Sequence, residues 1–562
     1  MLPSIEQLTL AQQVAQLIVV RTSGYLFDQQ TRYPAWEPPI ATLQQWVQEL
    51  GVGGVIVLGG SAAELALKTQ QMQEWATVPL LVAADVEEGV GQRFAGATWF
   101  PPPMAIGAIA QSSQMDAQQY AVEMGAAIAQ ESLAVGVNWL LAPVVDVNNN
   151  PLNPVINVRA WADSAWQVGE LASAFVRGAQ RRTVLTCAKH FPGHGDTSTD
   201  SHVELPLLNH TRDRLNAVEF PPFQAAIAAG VDSVMTAHLL IPELDPHYPA
   251  TLSDRALTGI LREEWGFDGL IVTDALIMGA IAQQYGANEA PVLALEAGAD
   301  ILLMPADPQG AIRAICDAVE SGRIAPERIQ ASVERIWRAK HKVCQLTIVG
   351  DSSHAWETVT PAGVDAKHLT TALAQPEAIA LAQSILCDSM RLHVPTAATP
   401  VAASATSALR EVTRDDPTPR NVIVLDDVLN ASYLGHHTPA IALPQTYGYS
   451  LHLCDRHGAL QPTGDAPTLL QVFIRGNPFR SNASLIHIAE DWLHTLLAAN
   501  TLQALVVYGS PYTFDMLRSQ LPAEIPYVFM YGQMEQAQAI ALQTLFDALT
   551  HDQTRQLTEF GF

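Results

Sequence analysis

Along the first 305 residues, short apolar runs rich in β-branched side chains alternate with longer Ala-, Leu- and Gln-rich stretches of helical period. The runs are LIVVRTS (17–23), GGVIVLGG (53–60), PLLVAADV (79–86), NWLLAPVVDV (138–147), TVLTCAKHF (183–191), DSVMTAHLLI (232–241), GLIVTDAL (269–276) and ADILLMP (299–305). Several are apolar throughout, with no alternation of apolar and polar positions. Strands buried on both faces of a parallel sheet read this way. Eight such runs with helical spacers predict an N-terminal (β/α)8 TIM-type barrel over residues 1–345. A doubly wound open sheet is the competing architecture. It calls for a Gly-rich phosphate loop after an early strand, and neither G-x-G-x-x-G nor G-x-x-x-x-G-K-[ST] occurs.

The pattern changes after the barrel. Residues 346–420 read as a linker with a connecting helix near 368–386, followed by an exposed Pro-, Ala-, Thr- and Ser-rich loop over 393–421. Strand–helix alternation then resumes in 421–429, 469–476, 502–510 and 527–532, with a long closing helix over 533–550. Residues 421–562 are therefore expected to form a smaller α/β sandwich domain. The fold class is α/β.

Composition narrows the partners. Hydrophobic residues make up 48% and charged ones 15%, ample for a large core. The formal net charge of −26 repels phosphate backbones and anionic lipid heads, so nucleic acid and membrane surfaces are excluded as partners. The cysteines, 187, 316, 344, 387 and 454, are widely spaced and include no C-x-x-C. Neither a disulfide framework nor a zinc ribbon is indicated, and Cys187 is expected to be an inert core thiol. The N-terminus has no Lys or Arg before Arg21, and no run of 18 apolar residues occurs. The expectation is a cytoplasmic protein, monomer or homodimer.

In a (β/α)8 barrel the active site lies at the carboxyl ends of the strands. The third run ends in Asp85, followed by Glu87 and Glu88. The fourth ends in Asp146, the fifth in Lys189 and His190, the sixth holds His238, and the seventh reaches Asp274. The fifth continues into KHFPGHGDTSTDSH, Lys189 to His202. Pro192, Gly193 and Gly195 forbid a regular helix there and mark a loop. The segment supports several readings. It is a polar loop with incidental histidines, or a metal site drawn from His190, His194, Asp196, Asp200 and His202, or a proton-transfer device. For the last, Asp200 and His202 lie two apart and can fold toward each other around Ser201. A carboxylate on one imidazole nitrogen fixes the tautomer and leaves the other nitrogen to act as acid and base. Asp274 is then the candidate nucleophile. Its alternative is a helix N-cap, because ALIMGAIA follows.

Lys189 to His202 resembles the signature K-H-F-P-G-H-G-[DN]-x-x-x-D-S-H of glycoside hydrolase family 3, in its β-N-acetylglucosaminidase branch. GFDGLIVTDALIMGAI (266–281), APVVDVNNNPLNPVINVRAW (142–161) and VMTAHLLIPELDPHYPATLS (234–253) are similar to further segments of that family, and the likeness runs through residues 1–345. It implies a retaining exo-glycosidase. Asp274 is the nucleophile, and His202, oriented by Asp200, is the acid/base. Asp85, Arg159, Lys189 and His190 hold the terminal sugar, His238 lines the pocket, and Asp146 supports the loop that carries Arg159. His194 is expected to be structural. The likeness calls for no metal and no cofactor. Its substrate is an N-acetylglucosamine-containing oligosaccharide or glycopeptide from cell-wall or chitin-type material. One departure stands out: Val90 occupies a position where the branch carries arginine. A β-glucosidase, an N-acetylglucosaminide phosphorylase, a metal-dependent hydrolase and a sugar-binding protein without catalysis remain the alternatives.

Overall fold

The computed structural model describes residues 2–197, 205–349, 356–361, 369–395, 418–458, 462–476 and 483–559. The chain forms two compact units, Met1–Leu381 and Ala382–Phe562, and the division falls within the helix Pro376–Ser389.

The first unit holds eight parallel strands: β1 (Ile18–Ser23), β2 (Gly54–Leu58), β3 (Leu81–Ala84), β4 (Trp139–Leu140), β5 (Cys187–Phe191), β6 (Ser233–Thr236), β7 (Leu270–Val272) and β8 (Leu302–Leu303). Ladders join them in the orders β4-β3-β2-β1-β8 and β5-β6-β7. Parallel bridges close the ring: Trp139 to Leu185 and Val144 to Lys189 between the fourth and fifth segments, and Val272 to Ile301 between the seventh and eighth. The result is the barrel expected from the eight apolar runs. Every residue of β3, β5, β6 and β7 is buried, as two-sided burial requires.

Local chemistry explains the helices between the strands. Ser61 caps helix Ala62–Trp75, and Glu64 returns the bond in a capping box. Helices Gln114–Ala134 and Ala165–Ala179 meet backbone to backbone. A Cβ on Gly178 would lie 2.0 Å from the Val122 carbonyl oxygen, and one on Gly125 would lie 2.4 Å from that of Phe175. Only glycine fits at this crossing. After the barrel comes an antiparallel hairpin, β9 (Cys344–Val349) with β10 (Trp356–Pro361), a feature not read from the sequence.

The second unit is a single sheet in the order β13-β12-β14-β15-β16-β11, with β11 at Arg391–His393, β12 at Arg420–Val424, β13 at Ser450–Cys454, β14 at Thr468–Ile474, β15 at Leu502–Gly509 and β16 at Tyr527–Met530. All neighbours are parallel except the edge strand β11. Helices Pro439–Thr446, Ala483–Ala498, Pro511–Arg518 and Glu535–Glu559 complete an α/β domain. The sequence showed four of these strands and missed β11 and β13. RLH and SLHLC are short and broken by polar residues, so neither reads as an apolar run. Most of the Pro- and Ala-rich loop expected over 393–421 lies outside the described residues.

Among the described residues, no helix is long and apolar enough to cross a membrane. Burial pushes the Cys187 thiol up to about 12, which suits an inert core cysteine.

Candidate active site

Loops from the carboxyl ends of β3, β4 and β5 meet in a buried ionic array. Asp85 directly follows β3. Lys189 lies within β5 and its side chain is 1% exposed. Its ammonium donates to Asp85 Oδ1 at 2.7 Å and pairs with Glu87 Oε1 at 2.7 Å. Glu87 also receives Arg159 through both oxygens, Nε at 2.8 Å and Nη2 at 2.8 Å. Two carboxylates thus face two cations with no net charge, the condition under which burial of ions is tolerable. Burial works against the ionised form of Glu87, but Arg159 and Lys189 outweigh it and hold the carboxyl well below its usual range. Burial likewise works against the Lys189 ammonium, and Asp85 and Glu87 reverse the effect and raise its pKa. The network is ionised throughout the neutral range.

Arg159 ends the short turn Asn157–Arg159. Asn157 has a left-handed backbone with φ 45°, a conformation asparagine accepts better than most residues. Its N–H donates to Asn148 Oδ1 at 2.9 Å, and Arg159 Nη1 donates to the Val155 carbonyl at 3.1 Å. The guanidinium is held from behind by its own loop and from the front by Glu87.

Asp146 organises the next layer. It is fully buried, and its carboxylate receives His190 Nδ1 at 2.7 Å, the His190 backbone N–H at 3.2 Å and the His194 backbone N–H at 2.7 Å. These bonds hold the segment leaving β5, and the Asp146 charge also acts on Arg159. The bond to a carboxylate places the His190 hydrogen on Nδ1 and leaves Nε2 as the other face of the ring. Burial pushes His194 down to about 4, against the pull of Asp146, so its ring is neutral. Thr197 Oγ1 lies 2.8 Å from His194 Nδ1.

Asp274 stands just beyond β7 and is partly exposed. The helix that follows begins at Gly279 with Met278 as its N-cap, so Asp274 caps no helix. Its Oδ1 accepts the Ala275 N–H at 2.7 Å, and its charge acts on His194. The turn carrying it is tied down on two sides. His238 Nε2 bonds the Ala275 carbonyl at 3.1 Å, and the Ile277 N–H donates to the carbonyl of Met304, which holds a left-handed φ of 50°. A nitrogen facing a carbonyl carries the hydrogen, so His238 is protonated on Nε2. His238 is completely buried, with Nδ1 on Thr251 Oγ1 at 2.8 Å.

The structure therefore brings Asp85, Arg159 and Lys189 together directly, joins His190 to them through β5, and places His238 behind the turn of Asp274. Asp200 and His202 lie outside the described residues. The sequence reading gave no role to Glu87, although it follows Asp85 by two positions, nor to Asn153 and Thr251. Among the described residues, no group of three or more His, Cys, Asp or Glu is spaced to hold a metal ion.

Residues 9–339 match the glycosyl hydrolase family 3 N-terminal domain, and residues 413–547 match the bacterial glycosyl hydrolase family 3 C-terminal domain. A protein named Beta-hexosaminidase A from Pseudoalteromonas piscicida is 34% identical over 338 residues, covering 54% of this chain and 55% of that protein. The chain thus spans about half the length of that relative. A Beta-hexosaminidase from Tolumonas auensis is 36% identical over 274 residues, covering 48% of this chain and 80% of that protein. Among solved structures, a glycoside hydrolase family 3 beta-N-acetylglucosaminidase from Paenibacillus sp. FPU-7 has a TM-score of 0.72 at 30% identity, covering 95% of this chain and 96% of that one. A beta-glucoside phosphorylase has a TM-score of 0.74 at 22% identity, covering 95% of this chain and 91% of that one, a likeness of fold alone. With a barrel whose strand ends carry this ionic array, and with both domain models matched in order, the chain belongs to glycosyl hydrolase family 3.

Proposed function

We propose that the protein is a retaining, exo-acting β-N-acetylglucosaminidase that releases terminal N-acetylglucosamine from cell-wall or chitin-type fragments. The observation that carries the reading is the pairing of a partly exposed carboxylate, Asp274, that caps no helix with the rigid array of Asp85, Arg159, Lys189 and His190 at neighbouring strand ends. A pyranose is recognised by directional bonds from such groups. The names of the relatives, beta-hexosaminidase and beta-N-acetylglucosaminidase, support the N-acetylhexosamine preference.

In the proposed reaction Asp274 attacks the anomeric carbon as the glycosidic C–O bond breaks. His202, with its tautomer fixed by Asp200, gives its proton to the departing oxygen. The same imidazole then takes a proton from water, which displaces Asp274 and frees the sugar with its original configuration. We place these steps in the barrel of residues 1–345 and assign the protein to the cytoplasm.

A panel of aryl glycosides tests the reading. N-acetylglucosaminide should be cleaved faster than glucoside or xyloside, with the β-anomer as first product and a glycosyl adduct on the Asp274 peptide. A preference for glucoside would sink the substrate assignment, and an α-anomer as first product would sink the retaining mechanism.

A further inference from the structure

The turn that carries Asp274 is held from behind by a chain of side-chain bonds that starts on β6. Thr236 closes β6, and Thr251 lies in the short turn Ala250–Leu252 further along the same loop. Thr236, His238 and Thr251 are completely buried. Thr236 Oγ1 donates to Thr251 Oγ1 at 2.9 Å, Thr251 Oγ1 lies 2.8 Å from His238 Nδ1, and His238 Nε2 lies 3.1 Å from the Ala275 carbonyl. A carbonyl only accepts, so the hydrogen of a neutral ring sits on Nε2, and Nδ1 then calls for a donor. The Thr251 hydroxyl supplies it. The Ala237 carbonyl, 2.9 Å from the same hydroxyl, has the Leu239 N–H at 3.0 Å. Thr251 is itself held in place. The Ala250 N–H donates to the Leu239 carbonyl at 2.8 Å, and Ser253 Oγ donates to Asp245 Oδ2 at 2.8 Å.

The ring hydrogen matters because of what it grips. The peptide joining Ala275 to Leu276 is bonded at both of its groups, its carbonyl to His238 and its N–H to the Leu303 carbonyl at 2.9 Å. One peptide back, the Ala275 N–H donates to Asp274 Oδ1 at 2.7 Å. Moving the hydrogen to Nδ1 would set the Nε2 lone pair against the carbonyl oxygen, and the turn would have to shift. We propose that Thr251 is a positioning residue for the nucleophile: its hydroxyl fixes the His238 tautomer, and His238 fixes the turn that aims Asp274. Thr251 acts through other residues and touches no reacting atom. Attack by Asp274 and its later displacement by water use the same alignment. This inference rests on the glycosidase reading above, with Asp274 as nucleophile.

The test uses the full-length protein. Thr251→Val removes the hydroxyl with little change of volume, and Thr251→Ser keeps one. Each is assayed on the sugar that the wild-type protein cleaves fastest, with one activated and one poor leaving group, and the inhibition constant of the released sugar is measured alongside. Misplacing a reacting group by about 1 Å costs on the order of 100-fold. In Thr251→Val, kcat and kcat/KM should fall together by about 10- to 100-fold, equally on both leaving groups, while the inhibition constant changes by less than about 2-fold. Loss of an interaction that counts only in the transition state gives this pattern. Thr251→Ser should stay within about 3-fold of wild type, because it retains the donor. Unchanged kcat, a loss confined to KM or to the poor leaving group, or a serine variant as slow as the valine one overturns the proposal. If the valine variant does not fold, Thr251→Ala takes its place with the same expectations, and failure of both to fold makes Thr251 a core residue and overturns the proposal. Asp274→Ala separates the two readings. Near-normal turnover there removes the nucleophile and the mechanism built on it, whereas abolished turnover there beside a normal Thr251→Val leaves the mechanism standing and sinks this inference alone.

Discussion

Replacing Glu87 by glutamine alters the centre of the ionic array while keeping its volume. Glu87 accepts three donors, Lys189 Nζ and the Nε and Nη2 of Arg159, on two anionic oxygens. Glutamine offers one acceptor oxygen and an NH2 that faces donors. Two buried cations would then share one remaining carboxylate, Asp85. Breaking a buried ion pair from one side costs about 3–5 kcal/mol, a large part of the roughly 5–15 kcal/mol that keeps a typical protein folded. The melting temperature should therefore drop. KM should rise as well, because Arg159 loses the partner that orients it. Differential scanning calorimetry and steady-state kinetics read the two effects. Arg159→Met and the double variant complete a thermodynamic cycle, in which a coupling above about 1 kcal/mol is expected for groups in direct contact. The pH dependence has a definite sign. The Glu87 carboxyl lies well below its ordinary 4.5 in the folded protein. Its stabilisation is present above the unfolded value and is lost as pH falls through the depressed one. Wild-type protein should thus lose stability below about pH 4.5 more steeply than the glutamine variant. A variant with the wild-type melting temperature and KM, and a coupling near zero, would refute the view of Glu87 as the hub.

Asp274→Ala should abolish turnover of aryl glycosides while leaving the melting temperature close to wild type, and near-normal rates would remove Asp274 as nucleophile. His202→Ala should lower rates on poor leaving groups far more than on activated ones, and equal losses would count against an acid role. Lys340 lies outside the site, fully buried, with its ammonium on Gln16 Oε1 at 2.6 Å and above the ring of Trp337. Burial pushes it down from 10.5 to about 7. A lysine with a lowered folded value destabilises the fold fully below that value, and the penalty fades as pH rises toward the unfolded one. Wild-type stability should accordingly rise between about pH 7 and pH 10, and Lys340→Met should flatten that rise and add about 2–4 kcal/mol at neutral pH. A variant less stable than wild type at pH 7 would show that the Gln16 bond outweighs the cost of burial.

The barrel was legible because burial on both faces of a strand removes polar residues from it. Runs such as PLLVAADV admit no other economical placement in a chain of alternating strands and helices. The strand ends were legible for the same reason: a charged residue closing an apolar run, as at Asp85, Lys189 and Asp274, marks where the chain leaves the core. Pairing between distant positions was not legible. Glu87 meets Arg159 across 72 residues of chain, and nothing local distinguishes it from Glu88, which bonds Trp99 instead. Asp146 also bonds the β5 segment, a pairing the sequence did not show, because loop geometry, not sequence distance, decides which donors reach a carboxylate. Whether Asp274 capped a helix depended on where the helix starts, and only folding placed that start at Gly279. The sequence by itself determined which residue types stand at the mouth of the barrel, through periodicity and burial. The tertiary structure decided which of them share a proton, a charge or a fixed backbone, because those bonds form between segments that meet only when the barrel closes.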